Sequence, residues 1–125
     1  MGFWEDHERD MADPDYRHHF VLESQRVAVI DAVVNELRDQ LAKQNFSKAA
    51  LARAVQRDPA AIRRVLTAQS VNPTLGLVAE MAAVLGYTVA LVPMTPEERR
   101  AVSEPLQAAA ALPTPKAGAA KSVAA

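Results

Sequence analysis

The residues from Ser47 to Thr67, SKAALARAVQRDPAAIRRVLT, leave the chain few ways to fold. They hold two helical signals separated by too few residues for anything but a tight turn. Ser47 stands where an N-cap accepts from the backbone N–H groups of the following turn. The helix it opens is expected from Lys48 to about Val55, with Ala49, Ala52 and Val55 inward and Leu51 alongside. Gln56 and Arg57 make the turn. Asp58 then caps a second helix with Pro59 at its first position, where a missing N–H costs nothing. Ile62, Val65 and Leu66 recur at spacings of three and four, so one face turns inward. The outward face is left with Pro59, Ala60, Arg63, Arg64 and Thr67.

Two short helices joined in this way, the second carrying outward arginines, have the helix-turn-helix pattern, in which the second helix enters the major groove. The run FSKAALARAVQRDPAAIRRVL, followed by NPTLGLVAEMAAVLG, resembles the Cro/lambda-repressor (XRE) family. The resemblance extends over Val27 to Met94. It is closest to the HigA- and HipB-type antitoxins, because a short apolar segment, TVALVPM, follows. It implies an all-α, lambda-repressor-like bundle with a short C-terminal strand that pairs between the subunits of a homodimer. It also implies a double-stranded DNA operator as partner and a cognate toxin as a further one. Two positions depart from the family pattern. Gln56 stands where glycine is usual, which asks a non-glycine residue for positive φ. Pro59-Ala60 replaces the frequent Gln or Ser, which shifts base reading onto Arg63 and Arg64.

The chain's net charge of −1 conceals a division. Residues 43–67 hold Lys43, Lys48, Arg53, Arg57, Arg63 and Arg64 against Asp58, a net +5. Residues 1–20 hold six acids against Arg9 and Arg17, a net −4. The positive charge is concentrated on the motif, as a polyanion-binding surface requires. Lys43, Lys48, Arg53 and Arg57 are therefore expected to meet DNA phosphates. The family resemblance implies phosphate contacts from the following loop as well, with Thr67, Gln69, Ser70 and Asn72 as candidates and plain turn chemistry as the alternative for the loop residues. Arg63 and Arg64, with Pro59 and Ala60 beside them, are expected to face base edges.

The remaining segments read as support. Residues 1–22, polar and acidic, are expected to be irregular or partly helical. Their His7, His18 and His19 are surface histidines, since adjacent histidines do not share one ion from one helix face. Ser24 to about Gln44 is an amphipathic scaffold helix with Val27, Ile30, Val34, Leu37 and Leu41 inward. Thr74 caps a helix from Leu75 to Leu85, closed by Gly86 in the left-handed conformation. Thr88, Val89, Leu91 and Val92 form a β-prone segment with no second strand in the chain, so its partner is expected from another copy, the alternative being a short extended segment packed on its own domain. These elements make a domain over residues 23–94. In residues 95–125, Thr95-Pro96-Glu97-Glu98 opens a brief helix to about Ser103, which Pro105 interrupts. From Gln107 the Ala- and Pro-rich tail is expected to be disordered.

A catalytic reading finds no nucleophile–base pair, no phosphate loop and no ligand cluster, so no enzyme, cofactor or metal is expected. The chain has no cysteine and no apolar run of membrane-spanning length, which points to the cytoplasm. The expected function is a DNA-binding transcriptional repressor, specialised by resemblance as an antitoxin that regulates its own operon. The alternatives are a stand-alone or phage-type repressor, and an adaptor that neutralises a toxin without reading DNA.

Overall fold

The computed structural model describes residues 2–67 and 71–111. Among them the fold is all-α: helices account for nearly every element and no strand is present. In chain order these are α1 (Phe3–Met11), α2 (Pro14–Lys43), α3 (Lys48–Ala54), α4 (Pro59–Thr67) and α5 (Leu75–Val84). A stretch without regular structure leads to α6 (Pro96–Glu98), a π-helical turn (Arg99–Ser103) and α7 (Glu104–Ala110). The described residues form two compact units, one from 2–25 with 93–111 and one from within 26–92.

The core of the second unit is drawn from four helices: Leu37 and Leu41 of α2, Leu51 and Ala52 of α3, Ile62 and Leu66 of α4, and Met81 and Ala82 of α5 with Leu85 behind them. Leu51, Ile62, Leu66 and Met81 are wholly removed from water. Each such burial stabilises by about 1.5–3 kcal/mol. That matters because helices of seven and nine residues do not persist alone. Two positions differ from the sequence pattern. Ala49 faces water, and the inward face of α3 is centred on Leu51 and Ala52, because leucine has the larger apolar surface to hide. Val27 is exposed too, and the fully buried stripe of α2 begins at Val34.

Three helices end in the same way. Asn45, Gln56 and Gly86 have positive φ, at 54°, 57° and 87°. The next N–H in each case reaches back five residues: Phe46 to Leu41 O at 2.9 Å, Arg57 to Ala52 O at 3.0 Å and Tyr87 to Ala82 O at 2.8 Å. This is the Schellman closure, which satisfies carbonyls that a helix end leaves free. Glycine adopts it without strain, asparagine with little, and glutamine at the cost of its Cβ against the backbone. The ends of α2 and α5 are also tied together. Gln44 Nε2 donates to the Leu85 carbonyl at 2.9 Å, at the end of an amide chain from Glu36 through the buried Gln40.

The N-terminal segment is more ordered than its composition suggests. Gly2 N–H donates to Glu5 Oε1 at 2.7 Å at the head of α1, and Asp13 Oδ1 accepts from Asp15 N–H at 3.0 Å at the head of α2. Asp13-Pro14 is thus a helix start, and the scaffold helix begins ten residues before Ser24. His7 of α1 meets Tyr16 and Phe20 of α2, with its ring 4.8 Å from that of Phe20. Pro105 likewise opens α7 instead of ending a helix. The Glu104 N–H donates five residues back, to Arg99 O. This widened turn sets Pro105 in a first-turn position, where its missing N–H is harmless. Gln107–Ala110 are therefore helical, against the expectation of a disordered tail; residues 112–125 lie outside the described residues. The expected strand at Thr88–Val92 is not formed. The described residues of a single copy offer this segment no neighbouring edge with which to build a ladder.

The helix closures generate a paired prediction. Gln56→Gly should raise unfolding free energy by about 0.5–1 kcal/mol, by relieving a left-handed non-glycine residue. Gly86→Ala, with open space around its Cβ but the same backbone conformation, should lower it by about 1 kcal/mol. Urea denaturation of the two variants checks both signs.

Candidate nucleic-acid interface

Each helix of the motif opens on a side-chain cap. Ser47 Oγ accepts from Ala50 N–H at 3.0 Å, and Asp58 Oδ1 accepts from Ala60 N–H at 3.3 Å. Between them, the closure at Gln56 turns the chain within four residues from the end of α3 to the start of α4. Ile62 and Leu66 anchor α4 on the core, one turn apart. Of the positions between them, Arg63 and Arg64 point outward and Val65 packs against the core. Pro59, Ala60, Arg63, Arg64 and Thr67 are all exposed. Neither Arg63 nor Arg64 forms an ion pair with any acid among the described residues.

The other cations fall into different settings. Lys43, in the last turn of α2, and Arg53, in the last turn of α3, are exposed and unpaired among the described residues. Lys48, at the first position of α3, is half-buried. Arg57 is engaged, its Nη2 3.0 Å from Glu80 Oε1 on α5. The Thr67 hydroxyl donates to the Arg63 carbonyl at 2.6 Å, so it has an acceptor oxygen to offer but no free proton. Asn72 is exposed; Gln69 and Ser70 lie outside the described residues.

One cation joins this surface that the sequence pattern did not mark. Arg38 of α2, with Asn45 and Lys48, rims a shallow hollow of about 460 Å³ floored by Leu41, Ala42 and Phe46. No carboxylate among the described residues lines it. On its own helix Arg38 sits in a mixed run, Glu36–Leu37–Arg38–Asp39, which reads as an ordinary solvated face. Only the fold brings it beside Lys48.

Elsewhere, Thr88, Val89, Leu91 and Val92 are all exposed, Leu91 completely and Val92 at 80%. Among the described residues no group of three His, Cys, Asp or Glu is placed to hold a metal ion. None of the described helices is long and apolar enough to cross a membrane. No family model, curated protein or solved structure matches this chain.

Because the heads of Arg63 and Arg64 stand in water, they should be dispensable for folding. The double substitution of both by Ala should leave unfolding free energy within about 0.5 kcal/mol of the native protein. Removing Glu80 from its exposed pair with Arg57 should cost less than about 1 kcal/mol. Thermal melts of the two variants measure both.

Proposed function

We propose that this protein is a homodimeric, sequence-specific DNA-binding repressor of the Cro/lambda-repressor type. The observation that carries the reading is the outward face of α4, which presents Arg63 and Arg64 unpaired beside the small, apolar Pro59 and Ala60. In this reading α4 lies in the major groove, with the two guanidinium groups directed at guanine O6 and N7. Lys43, Lys48 and Arg53 neutralise phosphates and fix the orientation, and Arg38 adds a further charge beside Lys48. Arg57 contributes in so far as it leaves Glu80. Thr67 and Asn72 supply polar contacts at the end of the helix.

The dimer is proposed to form through Tyr87–Val92. Leu91 and Val92 are too exposed for a segment that serves its own chain alone. Paired antiparallel with its copy about a twofold axis, the segment would cover them and gain the ladder that it lacks. Such a dimer sets the two α4 helices to read half-sites about 34 Å apart. Repression then follows from occupying a promoter. The finer assignment, an antitoxin that represses its own operon in the cytoplasm, rests on the resemblance of the NPTL loop and the TVALVPM segment to HigA- and HipB-type proteins. One observation favours the adaptor alternative, namely two aromatic side chains, Phe3 and Trp4, left in solvent far along the chain from the motif.

The proposal separates two kinds of cation. Arg64→Ala should cost about 1–3 kcal/mol at the cognate site and relax preference at one position of each half-site. Lys48→Ala should weaken all sequences about equally and flatten the slope of log affinity against log salt by roughly one unit for each phosphate left unneutralised. Salt titrations on cognate and scrambled DNA distinguish them. Should Arg64→Ala weaken both DNAs equally while Lys48→Ala narrows the gap between them, α4 is not the reading helix. A protein that passes unretained through a DNA column at low salt would instead be the adaptor.

The strand pairing has its own test. Val89→Pro removes a ladder donor and fixes φ, so light scattering should show a loss of dimer. An unchanged dimer places the interface elsewhere.

A further inference from the structure

Helix α1 carries an apolar stripe that its own unit covers only in part. On a helix, Phe3, Trp4, His7 and Met11 share one side. The far end of the stripe is held: His7 and Met11 are half-buried, and His7 Nδ1 lies 3.2 Å from the Tyr16 hydroxyl. The near end is not. Phe3 and Trp4 are 67% and 73% exposed. Their rings brace each other edge to face at 4.9 Å, and Phe3 stacks on His7 at 5.8 Å. These contacts orient the two rings without removing them from water. With the partly exposed Phe20, they leave on the order of 300 Å² of aromatic surface in solvent. A contiguous patch of that size is comparable to the largest on an ordinary monomer, and such patches are often functional.

The edges of the stripe decide what fits it. Glu8 flanks Trp4 on one edge and Asp10 flanks Phe3 on the other, and neither forms an ion pair among the described residues. On the far side of the helix, Asp6 is paired with Arg9 at 2.7 Å, and Glu5 accepts from the Gly2 N–H. Residues 1–20 as a whole carry a net −4. Docked ridge to ridge, a second copy would set these carboxylates against their own kind. A nucleic acid or an anionic membrane would be repelled for the same reason.

We propose that this ridge docks another protein, one with an apolar groove lined by lysine or arginine. Phe3 and Trp4 enter the groove as anchors, and Glu8 and Asp10 meet its cationic walls. The surface lies outside the α3–α4 motif, so it stands or falls independently of DNA reading.

Trp4 is the chain's single tryptophan, so the emission of the full-length protein reports on the ridge directly. The probe is a synthetic amphipathic helix of leucine and lysine, with two controls in which glutamate replaces lysine or serine replaces leucine. The leucine–lysine peptide alone should shift Trp4 emission to the blue in a saturable way, less strongly as salt rises. Phe3→Ala should weaken it at least about tenfold. The double variant Glu8→Gln with Asp10→Asn, which leaves the apolar stripe and the helix intact by circular dichroism, should weaken it several-fold and flatten its salt dependence. The proposal is overturned by no shift with the leucine–lysine peptide, by an equal shift with either control, or by full binding in both variants. A blue shift of the protein alone on concentration would assign the ridge to a second copy and overturn it as well.

Discussion

Everything on the candidate interface depends on the burial of Leu51, Ile62, Leu66 and Met81 in one cluster. Isolated helices shorter than about 12–15 residues are marginal in water, and α3 and α4 fall well below that length. They exist because the cluster holds them. The same burial sets the rotation of α4. Ile62 and Leu66 occupy the inward positions, so Arg63 and Arg64 have nowhere to go but outward. A slip of one residue would bring a guanidinium into an apolar core without a partner, at a cost of several kcal/mol. The apolar register is therefore what displays the charge.

Polar contacts then fix what the core leaves loose. A four-helix cluster defines faces but not the ends of helices, and the ends determine how α3 hands over to α4. Here the ends are closed by a single device used three times, with Asn45, Gln56 and Gly86 in the left-handed region. Gln44 adds a bond across 41 residues of sequence, joining the last turn of α2 to the end of α5. Gln40 is buried, yet its amide is satisfied on both sides, by Glu36 and Gln44, so it orders the helix pair without an orphaned group.

The parts of this fold that are legible in the sequence are those written in local chemistry. The caps at Ser47, Asp58, Thr74 and Thr95 and the glycine closure at Gly86 each depend on a few neighbouring residues, and each is present; the positive φ at Gln56, which the family resemblance implies, is present too. Signals with two local meanings are less legible. Proline both breaks helices and begins them, and at Pro14 and Pro105 it begins them, the second with the help of a π-helical turn just before it. Ala49 and Leu51 fall on nearly opposite sides of α3, and the packing against α2, α4 and α5 puts Leu51 inward and leaves Ala49 in water. Least legible are the relations across the fold. Nothing local to Arg57 announces Glu80, 23 residues on, and nothing local to Arg38 announces Lys48. The segment Thr88–Val92 is a case of its own, since its β tendency is local but a ladder needs an edge that the described residues of one copy do not hold.

The electrostatics of the motif point outside the molecule. Residues 43–67 carry six cations and one acid. The acid, Asp58, is committed to the Ala60 N–H, and the one described ion pair of the group takes Arg57 to an exposed carboxylate on α5. Most of the positive charge therefore stays uncompensated within its own unit. Like charges gathered on two short helices repel one another and lower stability slightly. A protein could remove that cost with a few glutamates on the solvent face of α3 or α4, which have none. The arrangement makes physical sense for a face whose counter-charge arrives with its ligand. A DNA backbone supplies closely spaced negative charge, and the release of its condensed counterions would add to the driving force. In the proposed complex the small Pro59 and Ala60 have a matching role: they let the start of α4 approach the groove closely, while the arginines one turn later supply the reach.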